Sequence, residues 1–297
     1  MKPFFSIIIP IYNGDRTITA CLESVIGQTF DDYEIIIADG GSTDESLEIS
    51  HRFRQVYPER NICVRTEKDG GVYDAMNKGI TLSKGNWLYF MGCDDELNDR
   101  EVLHAVAESI KTCGPVNLIY GNVSGSSSGI QYVDDTPAKV LSRGIHHQSI
   151  FYQKSLFNTI GQYDTAFKVA ADYHLTLRVF ADPAYKTKYI NRPIARFGES
   201  GLSSREYDYK FFSYHYKFLV QHQAADKIND REKCLQTSIY CCLHLAGTKR
   251  DLFFAWRNIL FYILVSDSLH FTFRLKTLLR MIYWSLKPGH NATVAAV

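Results

Sequence analysis

The chain has 297 residues, is 45% apolar and 22% charged, and carries a net charge of +1. These values exclude a disordered or fibrous chain, and the near-zero charge gives no global pull toward nucleic acid. The length suits one large α/β domain with a helical appendage.

Residues 4–11 are a continuous apolar, β-rich run, the pattern of a central parallel strand covered on both faces. Asn13-Gly14-Asp15 is a turn, and a helix follows to about residue 28. Residues 33–39 form the second strand, then Gly40-Gly41-Ser42-Thr43-Asp44 makes a tight loop in which Thr43 can cap the next helix. That helix ends near Tyr57, before Pro58. Residues 62–66 are a short strand, Gly70-Gly71 breaks the chain, and a helix covers about 73–83. Residues 87–91 are the fourth strand, ending at Gly92-Cys93-Asp94-Asp95-Glu96. Four strand–helix alternations predict an α/β fold with a doubly wound, mostly parallel sheet. Further on, 100–111 reads as a helix, 118–120 as a strand, 121–129 as a flexible Ser/Gly surface loop, 145–152 as a strand and 171–180 as a helix. From Tyr207 onward the pattern is largely helical, which divides the chain into an α/β domain over 1–205 and a helical region over 206–297.

In open α/β sheets, ligands bind beyond the carboxyl ends of the strands. Asp39, Asp69 and Asp94 each follow an expected strand end, so three carboxylates from separate strands converge on one crevice. Asp94 and Asp95 suit Mg²⁺ or Mn²⁺, hard ions that bind one or two carboxylates together with substrate phosphates; a solvated turn explains the pair equally simply. Asp39 can accept from a base N–H or a ribose hydroxyl, or can merely form a turn with Gly40-Gly41; Asp69 before Gly70-Gly71 is open in the same way. Asp172 starts a helix among small apolar residues, where it can deprotonate a hydroxyl or serve as a cap or dipole partner. His146 and His147, adjacent on an expected strand, face opposite sides, so one points to the crevice and the other is packed. No zinc-type spacing accompanies them.

These segments together resemble family 2 of the glycosyltransferases, inverting enzymes with the A-type nucleotide-sugar fold. Residues 6–13 (SIIIPIYN) are similar to the family's opening strand, and 39–44 (DGGSTD) to its base-binding loop. Residues 67–79 (EKDGGVYDAMNKG) resemble a branch found in bacterial exopolysaccharide and O-antigen clusters. Residues 85–90 lead into the metal motif, while His147-Gln148 and 161–178 (GQYDTAFKVAADYHLTLR) resemble the acceptor side and the catalytic-base helix. The resemblance implies a nucleotide-diphosphate sugar donor and a saccharide or lipid-linked saccharide acceptor, with Asp172 as base. It implies that Asp39 and Asp69 hold base and ribose, with Asn77 on the same donor side, and that Pro10 and Tyr12 shape the floor. Asp94 would bind Mg²⁺ or Mn²⁺ with Asp95 beside it. His147, Gln148, Arg178 and Ser203 fall on the acceptor or phosphate side, with Gly201 on a loop closing over the diphosphate. One departure stands out: the family's metal motif commonly has two carboxylates one residue apart, whereas the first position here is Gly92. That leaves metal binding to Asp94, donor phosphates and water.

Two rival classes remain at this level. A nucleotidyltransferase also joins such a sheet to acidic metal sites, but the first loop lacks a Gly-rich, basic phosphate cradle. A non-catalytic sugar-binding protein on the same fold is the other. Residues 249–287 hold seven Lys/Arg against two Asp, and Phe271, Leu275, Leu278, Leu279, Ile282 and Leu286 recur at helical spacing. A basic amphipathic helix can rest on an anionic membrane surface, or pack on its own domain or in a homodimer. No apolar run reaches about 18 residues, so no bilayer span is expected. The first run is too short for a secretory core with a cleavage site. Seven cysteines without a C-x-x-C pair suggest reduced thiols and a cytoplasmic protein, with the basic helix as the candidate for peripheral contact with the inner face of the membrane.

Overall fold

The computed structural model describes residues 2–199, 201, 206, 208–222, 224–228, 230–248, 251–265 and 269–286. It divides into two compact units, Met1–Arg205 and Glu206–Val297. The first unit opens as β1 (Phe5–Ile11), α1 (Ile18–Ile26), β2 (Tyr33–Asp39), α2 (Ser46–Val56), β3 (Asn61–Thr66), α3 (Val72–Leu82) and β4 (Trp87–Phe90). Every residue of β1, β2 and β4 is buried, as continuous apolar runs require when helices cover both faces of a sheet. The pairings β3–β2, β2–β1 and β1–β4 are all parallel, so these four strands end at one edge. Helix α3 packs so closely on the sheet that a Cβ on Gly79 would collide with Ile8 Cγ2; glycine is there for contact, at the expense of helix propensity.

The loop after β1 is stitched to the loop after β2. Asn13 sits at φ 52, its N–H donates to Ser42 Oγ (2.9 Å), and its Oδ1 accepts from Thr43 N–H (2.8 Å). The expected cap by Thr43 is not what forms. Asp44 instead takes the Ser46 N–H on Oδ1 (3.0 Å) and the Asp15 N–H on Oδ2 (3.1 Å), because its carboxylate reaches two donors where a hydroxyl reaches one.

The unit continues with β5 (Glu96–Leu97), α4 (Val102–Thr112), β6 (Leu118–Gly125), β7 (Gln131–Tyr132), α5 (Pro137–Arg143), β8 (Ile150–Gln153), α6 (Leu156–Ile160), α7 (Ala171–Ala181) and β9 (Thr187–Phe197). The sheet order is β3-β2-β1-β4-β8-β6-β9-β5, with β7 paired to β6. β8 runs antiparallel between β4 and β6, and β9 is parallel to β6; the parallel pairings are the longer ones. β5 lies at the far end of this order, yet Leu97 N–H donates to Ser24 Oγ on α1 (3.1 Å), so the sheet curls around.

Two expectations are corrected here. Residues 121–125 are not a flexible loop but the buried second half of β6. A Cβ on Gly121 would lie 2.5 Å from the Arg192 carbonyl oxygen, so this glycine marks the close approach of β9 at a register shift, and the exposed turn shrinks to 126–130. The expected strand 145–152 likewise begins as a 3₁₀ turn, His147–Ser149, before β8.

The second unit comprises α8 (Tyr209–Gln221), α9 (Arg231–Thr248), α10 (Leu252–Val265) and α11 (Phe271–Leu286). Its interior joins α8 to α10 through Ser213 Oγ and Asn258 Oδ1 (2.6 Å) and through the Tyr216–Tyr262 edge contact at 4.7 Å. His215 Nδ1 meets Ser238 Oγ on α9 at 2.7 Å. Among the described residues no helix is long and apolar enough to cross a membrane.

Candidate active site

The common edge of β1–β4 carries the acidic residues. Asp39 is the last residue of β2, 2% exposed, and its carboxylate accepts from the Gly41 N–H (3.2 Å) and the Ser42 N–H (3.1 Å). Gly41, at φ 90, allows that turn. Asp69 comes alongside from the loop after β3: a Cβ on Gly40 would sit 2.5 Å from Asp69 Oδ2. Its Oδ1 accepts the Gly71 N–H at 2.9 Å, and Gly71 leads directly into α3. Pro10 is buried opposite Ala38 in this edge, and Tyr12 projects beyond it, 64% exposed.

Beyond β4 the Gly92–Asp95 turn separates two aspartates by environment. Asp95 is 1% exposed and accepts three bonds: from the Gly92 N–H (2.6 Å), from Gln148 Nε2 (3.0 Å) and from the Gly198 N–H after β9 (3.0 Å). Burial pushes its carboxyl up to about 6, and the neighbouring Asp94 charge adds to the rise. Asp95 therefore joins β4, the 3₁₀ turn and the end of β9. Asp94 is half-buried, and burial raises its carboxyl above the usual range. Among the described residues nothing donates to its side chain except its own backbone. It fits tightly between two glycines: a Cβ on Gly92 would lie 2.7 Å from Asp94 Oδ1, and one on Gly198 would collide with Oδ2.

Asp172, in the first turn of α7, meets this cluster through His147. Its Oδ1 accepts the Tyr173 N–H (2.7 Å) and faces the Tyr73 hydroxyl (2.9 Å), which also lies 2.7 Å from the Val169 carbonyl oxygen. Its Oδ2 lies 3.4 Å from His147 Nδ1. A dipole partner alone would account for the Tyr173 contact but not for His147 or Tyr73. Burial by itself would lower the His147 pKa; the hydrogen bond and charge of Asp172, with the charges of Asp95 and Asp94, overcome it and raise the value. His146 turns the other way, into a slot between Tyr132 and Phe197, each 4.6 Å from its ring.

Three expected site residues have other work in the fold. The Asn77 amide brackets the Tyr163 backbone, donating to its carbonyl (2.9 Å) and accepting its N–H (3.0 Å), so both ends are occupied within the protein. Arg178 Nη2 donates to the Ile160 carbonyl (2.5 Å), tying α7 to α6. Gln148 supports Asp95, and its own carbonyl accepts the Tyr89 hydroxyl (2.9 Å). Gly201 lies near Asp94, its Cβ position 3.9 Å from Oδ2, while Ser203 lies outside the described residues. Tyr73 and Gly198 were not anticipated. Tyr73 sits inside the 67–79 motif, but nothing in the sequence signals a partner 99 positions away.

An acidic edge on a curled α/β sheet, facing a helix that begins at Asp172, matches the A-type nucleotide-sugar fold that the sequence resembles. The chain belongs to glycosyl transferase family 2, whose model matches residues 6–182. It is 41% identical over 212 residues to a Mycobacterium bovis PGL/p-HBAD biosynthesis glycosyltransferase, covering 70% of this chain and 82% of that one. Its fold is similar to that of S. aureus TarS 1–349 solved with UDP-GlcNAc, with a TM-score of 0.64 at 19% identity over 94% of this chain and 81% of that 1–349 chain. It is also similar to the Pyrobaculum calidifontis mannosyltransferase PcManGT solved with GDP-Man and Mn²⁺, with a TM-score of 0.53 at 19% identity over 96% and 87% of the two chains. Family membership removes the nucleotidyltransferase alternative.

Proposed function

We propose that the chain transfers a sugar, with inversion, from a nucleoside-diphosphate donor to a hydroxyl of a saccharide or lipid-linked saccharide during bacterial surface glycan synthesis. One observation carries the reading: Asp172 Oδ1 is engaged by its own helix and by Tyr73, whereas Oδ2 meets only His147 among the described residues and keeps a lone pair for a substrate proton. In this mechanism the acceptor hydroxyl attacks the anomeric carbon opposite the departing diphosphate, and its proton passes to Asp172 Oδ2. The bond to the diphosphate oxygen breaks as the new glycosidic bond forms, so one displacement inverts the centre. Asp39 and Asp69, side by side at the end of β2, hold the base and ribose over Pro10 and Tyr12.

The donor set suits Mg²⁺ or Mn²⁺. Asp94 offers a carboxylate with no competing donor from another described residue, in a place where burial makes its charge costly and a cation welcome. Asp95 is committed to three N–H donors and stands behind it. Among the described residues no cluster of three or more metal-ligating side chains exists, so an ion held by Asp94 would need donor phosphates and water as its other ligands. Such an ion supplies charge neutralisation for the leaving diphosphate. Thermal denaturation with UDP-N-acetylglucosamine or GDP-mannose, each with Mg²⁺ or Mn²⁺, tests the reading. One of them should raise the melting temperature, since a ligand of the native state stabilises it, and should release its nucleoside diphosphate in the presence of sugar acceptors. A panel of UDP- and GDP-sugars producing neither shift nor turnover would discard it.

The second unit supports work at the inner face of the cytoplasmic membrane. On α11 Phe271, Leu275, Leu279, Ile282, Tyr283 and Leu286 form one exposed stripe, with Phe271 75% and Leu286 78% exposed. Leu278, expected on that face, turns partly inward beside the buried Met281. α10 and α11 together carry Arg257, Arg274, Lys276 and Arg280 and no acid, so an anionic surface is a better partner than a second copy of the same face. The full chain should float with vesicles containing phosphatidylglycerol. The double substitution Leu279→Glu and Leu286→Glu should weaken that binding at least about tenfold; unchanged flotation would refute the assignment.

A further inference from the structure

We propose that His147 is the positioning residue of the reaction centre: its Nδ1–H holds Asp172 Oδ2, so that the remaining lone pair of that oxygen faces the acceptor hydroxyl. The inference rests on the reading of Asp172 as the base and adds a second residue to it. The 3₁₀ turn that carries His147 is fixed from three sides. The Tyr89 hydroxyl holds the Gln148 carbonyl (2.9 Å), Asp95 Oδ2 holds Gln148 Nε2 (3.0 Å), and Ser149 N–H and Oγ both close on the His146 carbonyl (2.9 and 2.7 Å). The imidazole therefore has little freedom at its backbone. Nδ1 lies 3.4 Å from Asp172 Oδ2, and the two side chains are 20% and 18% exposed, so water competes weakly for the contact. Nε2 is buried and has no hydrogen-bond partner among the described residues. Among these residues the ring's polar surroundings are therefore the Nδ1 contact with Asp172 and the charges around it. Those charges are Asp172 on α7 and Asp94 and Asp95 on the turn after β4, with His146 beside it in the chain. With Tyr73 and Tyr173 N–H on Oδ1, His147 completes a grip on both oxygens of the base, in the manner of an orienting partner beneath a catalytic group.

The experiment exploits the difference between the two ring nitrogens. An Asn amide places its nitrogen near the position of Nδ1, whereas a Gln amide reaches nearer to Nε2. His147→Phe should lower kcat about 10- to 100-fold, as loss of base orientation does, with the donor KM within about twofold of wild type. His147→Asn should recover most of that loss and His147→Gln little. The assay is nucleoside diphosphate release from the UDP- or GDP-sugar that the wild-type chain turns over. His147→Phe should also cost little further in an Asp172→Asn background, because it acts through Asp172. Rescue by Gln but not Asn, an unchanged kcat in His147→Phe, or equal losses in both backgrounds would each overturn the proposal. Retained donor-induced thermal stabilisation shows that the variants fold. A fully active Asp172→Asn enzyme would instead overturn the assignment of the base, a result separable from all of these.

Discussion

Asp172→Asn is expected to reduce transfer at least about a hundredfold, the usual worth of a general base, without loss of fold or donor binding. Asn has nearly the same shape and keeps an oxygen for the Tyr173 N–H and the Tyr73 hydroxyl, so the start of α7 should not move. What it cannot do is take a proton at neutral pH. The loss should therefore appear in kcat, with the donor KM nearly unchanged. Initial rates of nucleoside diphosphate release, beside melting temperatures with and without the nucleoside diphosphate of the donor that wild type turns over, measure both quantities. Near-wild-type kcat would remove Asp172 from the chemistry. Alternatively, a fall in melting temperature matching the fall in rate would make it a structural residue.

Asp94→Asn should be comparably damaging, by about a hundredfold or more, as expected when charge stabilisation of a leaving group is withdrawn. Here the failure should extend to binding. Asn lacks the negative charge that makes this half-buried position attractive to a cation, so Mn²⁺ should no longer increase the thermal stabilisation given by the donor. Removing metal with a chelator should bring wild type down to the level of the variant and leave the variant unaffected. If the chelator has the same effect on both proteins, the ion does not sit at Asp94. Asp95 is not equivalent despite being adjacent. It holds three N–H donors in a buried position, and changing it would act on the turn itself.

Much of the nucleotide-binding half is legible in the chain because it obeys one strong rule. Strands buried on both faces must be continuously apolar, and β1, β2 and β4 are, so their ends and the aspartates beyond them could be located to within a residue or two. The limits lie where a residue's role depends on a distant partner. Asn77 belongs to a recognisable motif, yet whether its amide faces a ligand or Tyr163 depends on a loop 86 positions away. Gly121 looks like flexibility when read locally, but the carbonyl of Arg192 is what requires it. The two histidines read correctly as facing different ways, though a 3₁₀ turn rather than a strand divides them. His147, Tyr73 and Asp172 come from three separate elements, and no periodicity or spacing within any one of them reveals that they meet.

The glycine at position 92 bears on how this catalyst could be re-engineered. Any side chain there would strike the carboxylates of Asp94 and Asp95, its Cβ 2.7 Å from one and 3.0 Å from the other. An acidic residue at that place would have to push the Asp94 and Asp95 side chains aside before it could join Asp94 as a ligand. On the proposed reading, in which the ion enters with the donor, the rate would follow the concentration of the preformed ion–nucleotide complex. Its sensitivity to free cation would then be set by solution equilibria rather than by the protein.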